Sequence, residues 1–108
     1  IVELRVEGHT DELPLPPKKR FRDNWQLSSA RALSVVKILR DETGIPPDKF
    51  SALGYGEYKP TVDVKNLKTN QEKRRARNMN RRVEIILTAS VQNKSKIARS
   101  TLDINLER

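Results

Sequence analysis

The sequence predicts an α+β fold in which helices cover a small β-sheet. Along the chain, the residue patterns follow the order strand, helix, strand, helix, strand, which is typical of such a layered domain. Hydrophobic residues make up 35% of the chain and charged residues 33%, but the hydrophobic residues are grouped and periodic. A chain of 108 residues is long enough for one domain with a modest core. No run of the sequence approaches the roughly 20 apolar residues of a membrane helix.

The first predicted element is a strand over residues 1–8. Val2, Leu4 and Val6 alternate with charged residues, which is the pattern of a strand that is buried on one face. Residues 11–23 follow and include three prolines and the basic run KKRFR. Because proline lacks a backbone donor and restricts the residue before it, this segment is predicted to be a loop.

The second element is a helix from about Trp25 to Glu42. Asp23 or Asn24 is suited to cap its first turn, and Gly44 to end it. On a helical wheel, apolar residues form one arc, with Trp25 at its edge: Leu27, Ala32, Val35, Val36, Ile38 and Leu39.

In the second half of the chain, a strand and a helix are again predicted in that order, from weaker patterns and without an internal sequence repeat. Residues 47–50 suit a short helical turn, and 51–60 resemble a strand in which two glycines indicate a bulge or a close backbone approach. Thr69 and Glu72 have the spacing of a capping box, which begins a very polar helix ending near Met79.

Residues 81–87 are the last clear strand, and the pattern weakens beyond Leu87. Residues 89–108 are polar, with Leu102, Ile104 and Leu106 alternating near the end. They are expected to form a short strand or a tail packed on a neighbouring surface. The predicted organisation is therefore a domain over 1–88 and an extension over 89–108.

Arg31 is unusual because it lies inside the apolar arc of the first helix. A buried arginine without a partner is costly, so a carboxylate or an anionic ligand is expected beside it. The alternatives are a side chain that extends to solvent and a structural salt bridge. Asp11, which leaves the end of the first strand, is the expected partner because ligands often bind at strand ends. Together the two charges could hold a zwitterion that carries an ammonium and a carboxylate.

Four motifs occur in order at compatible spacings: GHTD at 8–11, N-x-x-LS-x-x-RA at 24–32, GYGE-x-x-P at 54–60 and NRRVE at 80–84. Together they resemble the OmpA-like peptidoglycan-binding domain over residues 2–88. The long proline-rich insertion before Asn24 is more similar to the B subunits of flagellar motor stators, the MotB type, than to the short-loop lipoproteins of this family.

The resemblance implies a site as well as a mixed β-sheet like that of the OmpA C-terminal domain. Asp11 and Arg31 match the pair that grips the free zwitterionic end of diaminopimelate in a peptidoglycan stem peptide. Four further residues match pocket or wall positions of the family: Asn24, Arg81, Thr10 and Leu27.

The resemblance also implies a function: non-catalytic binding of peptidoglycan that anchors a flagellar stator to the cell wall in the periplasm. A membrane-embedded stator partner would be reached through segments outside this chain, and the full-length protein would be anchored in the membrane. The alternative is a peptidoglycan-associated outer-membrane protein or lipoprotein. Family domains usually begin with a further strand and helix, whose absence here would leave apolar surface open. A homodimer, or a tail folded over that gap, is therefore expected.

Other classes of function fit the residues less well. A hydrolase built on His9, Asp11 and Ser28 or Ser29 lacks a nucleophile-elbow motif. With one histidine and no cysteine, the chain offers few metal ligands, so neither a metal nor a cofactor is expected.

Nucleic-acid binding is the main alternative from another class. The net charge is +8, and residues 65–82 carry eight basic side chains against one acidic one. Aromatic residues total only 5%, and no nucleic-acid-binding motif is present, so a nucleic-acid partner is not expected.

Overall fold

The computed structural model describes residues 2–17, 20–91 and 94–103. Its four strands form one mixed sheet in the order β2-β1-β3-β4, and a short 3₁₀ turn, Pro47–Lys49, precedes β2. This confirms the predicted α+β class. Neither helix in the described part of the chain has the length and apolarity that a membrane crossing requires. The helices and strands are β1 (Val2–His9), α1 (Asn24–Thr43), β2 (Phe50–Gly54), α2 (Asn70–Asn80), β3 (Arg82–Val91) and β4 (Lys94–Asp103).

The core lies between α1 and one face of the sheet. β1 pairs in parallel with β2 and antiparallel with β3, and α1 is the crossover between the two parallel strands. The buried cluster consists of Val6 on β1, Ala32 and Val35 on α1, and Val83 on β3. Burial of these apolar side chains fixes α1 over the sheet, and with it the polar residues at the start of the helix.

Both helices begin at the residues that the sequence indicates. Asp23 caps α1, since its Oδ1 accepts a hydrogen bond from the backbone N–H of Gln26 at 2.8 Å. Thr69 caps α2 in the same way through Glu72, as the capping-box spacing predicts. One expectation on α1 is wrong: Ile38 lies in the predicted apolar arc, yet 60% of it is exposed. No layer covers α1 at this position among the described residues.

The predicted strand over 51–60 is shorter in the structure, because β2 ends at Gly54. The backbone continues two parallel-type hydrogen bonds, from Tyr55 N to the Gly8 carbonyl and from Thr10 N to the Gly56 carbonyl. Gly56 then adopts a φ of 61°, a left-handed conformation that turns the chain away from the sheet. The two glycines therefore mark the end of the strand and the turn that follows it.

Residues 94–103 form a longer strand than the weak pattern after Leu87 indicates. β3 extends to Val91, and β4 pairs with it antiparallel over ten residues. The predicted boundary at residue 88 thus falls inside β3. Ile104 and Leu106, whose alternation was part of the prediction, lie outside the described residues. β4 covers the edge of β3, which would otherwise be the outer strand of the sheet.

Candidate functional site

Asp11 lies just beyond the carboxyl end of β1 and is almost completely buried, with 1% of the residue exposed. Its Oδ1 accepts a hydrogen bond from the backbone N–H of Leu13 at 3.0 Å. Its Oδ2 accepts one from Nη1 of Arg81 at 2.7 Å. Two hydrogen bonds, one of them charge-assisted, therefore fix the position of this carboxylate.

Close packing between β1 and the start of α1 determines the position of Asp11. A Cβ on Gly8 would collide with the backbone carbonyl of Ser28, so only glycine allows the helix to approach this strand. Asn24, in the first turn of α1, donates from Nδ2 to the carbonyl oxygens of Asp11 at 3.3 Å and Leu13 at 3.1 Å. Asn24 therefore supports the backbone at Asp11 and two residues beyond it.

Two predicted wall residues lie beneath the surface. Thr10 is 1% exposed and donates from Oγ1 to the Asp11 carbonyl, while Leu27 is 2% exposed on the inner face of α1. Both side chains pack beneath the surface residues of the site and offer little accessible surface to a ligand.

Arg31 lies on the same face of α1, one turn beyond Leu27 and Ser28, and is half-buried. It lines a surface groove of about 390 Å³ together with Arg20, Phe21 and Val35. Of the six predicted site residues, two lie on the β1–α1 connection, three on α1 and one at the end of α2: Thr10 and Asp11; Asn24, Leu27 and Arg31; and Arg81. A ligand that bridges Asp11 and Arg31 remains a prediction.

A second ion pair joins the same loop to α2, and the sequence did not predict it. Arg77 donates from Nε to Oε2 of Glu12 at 2.7 Å. Arg77 and Arg81 are four residues apart, so they lie on one face of the helix end and meet two consecutive acidic residues. That spacing, together with the adjacent Asp11 and Glu12, was the available signal.

The other face of the sheet carries a buried charge network. Glu7 and Glu84 are direct register partners on β1 and β3. Arg99 on β4 donates to both carboxylates, at 3.1 and 2.7 Å, while Arg5 donates to Glu7 and Arg82 to Glu84, each at 2.9 Å. Burial alone would raise the pKa of Glu84, but the hydrogen bonds from Arg99 and Arg82 outweigh it and lower that pKa.

His9 lies beside this network and is 2% exposed. Its Nε2 is 3.3 Å from Oε2 of Glu84, but among the described residues neither ring nitrogen has a hydrogen-bond partner. Burial, reinforced by the charge of Arg82, lowers the pKa of His9 to about 4. The ring stacks on Tyr55 with centroids 5.2 Å apart, so His9 is a neutral packing residue near pH 7.

Glu7, His9 and Glu84 bring three potential metal-ligand atoms within 4.8 Å of one another. Both carboxylates already accept hydrogen bonds from guanidinium groups, which supply the counter-charge that a cation would provide. A metal ion would have to displace Arg5, Arg82 and Arg99, so the cluster is organised as an ion-pair network. The expectation of no metal site stays a prediction.

Comparison with known proteins identifies the fold. The OmpA family model matches residues 1–79. The chain belongs to the OmpA family. Among solved structures, the C-terminal domain of Helicobacter pylori MotB superimposes with a TM-score of 0.66 at 30% identity, covering 85% of this chain and 63% of that one. The predicted resemblance to the MotB type is thereby confirmed.

Two curated relatives come from Bacillus subtilis. Motility protein B is 37% identical over 82 residues, which are 76% of this chain and 28% of the relative. The uncharacterized protein YtxE is 39% identical over 88 residues, which are 82% of this chain and 33% of the relative. The chain therefore spans about a third of the length of these two relatives.

Proposed function

We propose that this OmpA-family domain binds peptidoglycan without catalysis and anchors a cell-envelope assembly to the cell wall. The observation that carries the proposal is the Asp11 carboxylate, buried at the end of β1, with Arg81 and the Asn24-supported loop around it. Such a carboxylate accepts the ammonium of a ligand, and a neighbouring arginine binds its carboxylate bidentately. The free end of diaminopimelate carries both groups on one carbon.

Within this function, the similarity to motility protein B and to the periplasmic domain of Helicobacter pylori MotB supports a flagellar stator role. The assembly would then include a membrane-embedded stator partner, contacted by segments outside this chain, and the domain would act in the periplasm. A peptidoglycan-associated outer-membrane protein or lipoprotein is the second candidate. The complete gene product distinguishes the two, because a stator subunit carries a membrane helix and a lipoprotein carries a lipidated cysteine.

Sedimentation with purified peptidoglycan tests the proposal. The parent chain should pellet with the polymer, and Asp11→Asn should pellet at least tenfold less, since it loses a charge-assisted contact worth about 1.5–3 kcal/mol. Asparagine keeps an acceptor for the Leu13 N–H, so this variant should fold. Arg31→Gln should also weaken binding.

The exposed ion pair between Arg40 and Asp41 on α1 provides matched controls, because Arg40→Gln and Asp41→Asn make the same charge changes outside the site. A parent chain that does not pellet contradicts the proposed function. If Asp11→Asn and Arg31→Gln both pellet like the two controls, the ligand binds elsewhere. A polymer with lysine in place of diaminopimelate lacks the carboxylate of the zwitterionic end. The parent chain should bind this polymer more weakly, because one hydrogen-bonded ion pair is lost.

A further inference from the structure

Trp25 and Tyr58 form an exposed aromatic pair beside the proposed site. Their rings stack with centroids 5.2 Å apart and an interplanar angle of 30°. Trp25 is nevertheless 49% exposed and Tyr58 63% exposed, so each ring presents apolar surface to solvent. In the other stacked pair of the described residues, His9 and Tyr55, the histidine is buried. Exposed aromatic surface bordered by polar groups is characteristic of binding sites.

Two hydrogen bonds of Gly56 attach the turn before Tyr58 to α1 and to the Asp11 loop. The N–H of Gly56 donates to Oγ of Ser28 at 2.9 Å, which attaches the turn before Tyr58 to the first turns of α1. The carbonyl of the same glycine accepts from Thr10 N at 2.9 Å, directly before Asp11. Because these bonds fix the backbone of the turn, less backbone conformational entropy is lost when a ligand binds there.

A groove of about 320 Å³ adjoins Tyr58 and is bordered by acceptor groups, with carboxylates from Glu12, Glu57 and Asp63. Oε2 of Glu12 accepts from Arg77, but its buried Oε1 has no hydrogen-bond partner among the described residues. A buried carboxylate oxygen in this state is a site for a donor from a ligand. An apolar ring face next to unused acceptors matches the chemistry of a sugar, which has an apolar C–H face and hydroxyl donors at its rim.

We propose that the Trp25–Tyr58 pair and the adjoining groove bind a pyranose ring of the glycan strand. This inference rests on the proposed peptidoglycan function and assigns the sugar part of that polymer to a second subsite. The stem peptide is covalently joined to the sugar, and three extended residues span about 10 Å. Trp25 directly follows Asn24, which bonds the Asp11 carbonyl, so the aromatic pair adjoins the segment that would hold the stem.

The chain contains one tryptophan, so its fluorescence reports this subsite directly. Chitotetraose, a peptide-free β-1,4-linked N-acetylglucosamine tetramer, should shift or quench the emission of Trp25 in a saturable way. Tyr58→Ala should weaken this binding by roughly tenfold, while Tyr58→Phe, which keeps the ring, should restore it. Leu33→Ala is the matched control, because Leu33 is an apolar residue with 46% exposure on α1, the helix that carries Trp25.

A second experiment separates this subsite from the proposed function itself. Whole peptidoglycan should pellet Tyr58→Ala less than the parent, whereas a free diaminopimelate tripeptide without sugar should bind both equally. The subsite is overturned if the parent pellets with peptidoglycan but its emission is unchanged by chitotetraose, or if Tyr58→Ala and Leu33→Ala bind that sugar alike. A parent that fails to pellet contradicts the proposed function, while a saturable response to chitotetraose would still support the sugar subsite.

Discussion

Nη1 of Arg81 lies 2.7 Å from Oδ2 of Asp11, so the buried carboxylate at the end of β1 already has a counter-ion before any ligand arrives. The Asp11 side chain is fully buried and that of Arg81 is 20% exposed. In the proposed binding mode, an incoming ammonium group therefore shares Asp11 with Arg81 or displaces Arg81. In that mode, a displaced Arg81 is available to the carboxylate of the same ligand.

Arg81→Gln should destabilise the fold by about 1–3 kcal/mol, because the buried Asp11 carboxylate loses its charged partner. Urea denaturation of the parent and variant measures this difference. Arg77→Gln is the matched control, since its partner Glu12 is 30% exposed and the pair should contribute under about 1 kcal/mol. Equal losses of unfolding free energy in the two variants would mean that the burial of Asp11 does not strengthen its ion pair with Arg81.

His9 should make the domain less stable in mild acid. Its pKa is about 4 in the folded state and 6.5 in the unfolded state, so the unfolded chain binds the additional proton between these values. The stabilising effect is complete above pH 6.5 and is lost as the pH falls towards 4, by about 3 kcal/mol in total. Glu84, whose pKa is lowered from 4.5, adds its own loss only below that pH.

His9→Phe isolates the histidine contribution because phenylalanine keeps the stack on Tyr55 and does not titrate. Its unfolding free energy should be nearly constant between pH 6.5 and 5, where that of the parent falls. Urea denaturation at several pH values measures both. A variant that follows the parent curve over this interval would show that another group is responsible.

The sequence predicted the elements whose signals are local. The capping residues Asp23 and Thr69 depend on near neighbours and appear as expected. The alternation in β1 holds for Leu4 and Val6, which are buried, but not for Glu7, which is buried on the opposite face by contacts with other strands. The extent of β4 was missed because it follows from pairing with β3, a non-local property that a polar, weakly alternating segment does not reveal. The Asp11–Arg81 bond joins residues 70 positions apart, so only the family resemblance pointed to Arg81.

Gly8→Ala should be strongly destabilising, although alanine is a small residue. The added Cβ would collide with the Ser28 carbonyl and lie 2.9 Å from its carbon, so α1 would have to move off the sheet. A loss of about 3 kcal/mol is expected. Gly44→Ala is the comparison: nothing lies within 4 Å, and only its φ of 69° is unfavourable, at about 1 kcal/mol. Thermal unfolding ranks the two variants, and the reverse order would contradict this packing.

Ending the chain at Val91 should cause association. The truncation removes β4, exposes the hydrogen-bonding edge of β3, and deprives Glu7 and Glu84 of Arg99. An uncovered edge strand pairs readily with another chain. Light scattering at several concentrations should show a larger average mass for the truncated chain than for the parent, whose own mass tests the predicted homodimer. A truncated chain that stays monomeric and folded would show that β4 does not protect this edge.

Arg74 and Arg75 should act on binding through long-range attraction. Both are exposed on α2, whereas Arg77 on the same helix pairs with Glu12 and is better left unchanged. The double change to glutamine should reduce sedimentation with peptidoglycan at low salt and have little effect at about 0.5 M salt, because exposed charges are screened within a few ångströms there. Asp11→Asn, which removes the proposed direct contact, should weaken binding at both salt concentrations. A salt-independent loss in the double variant would mean that these two arginines touch the polymer.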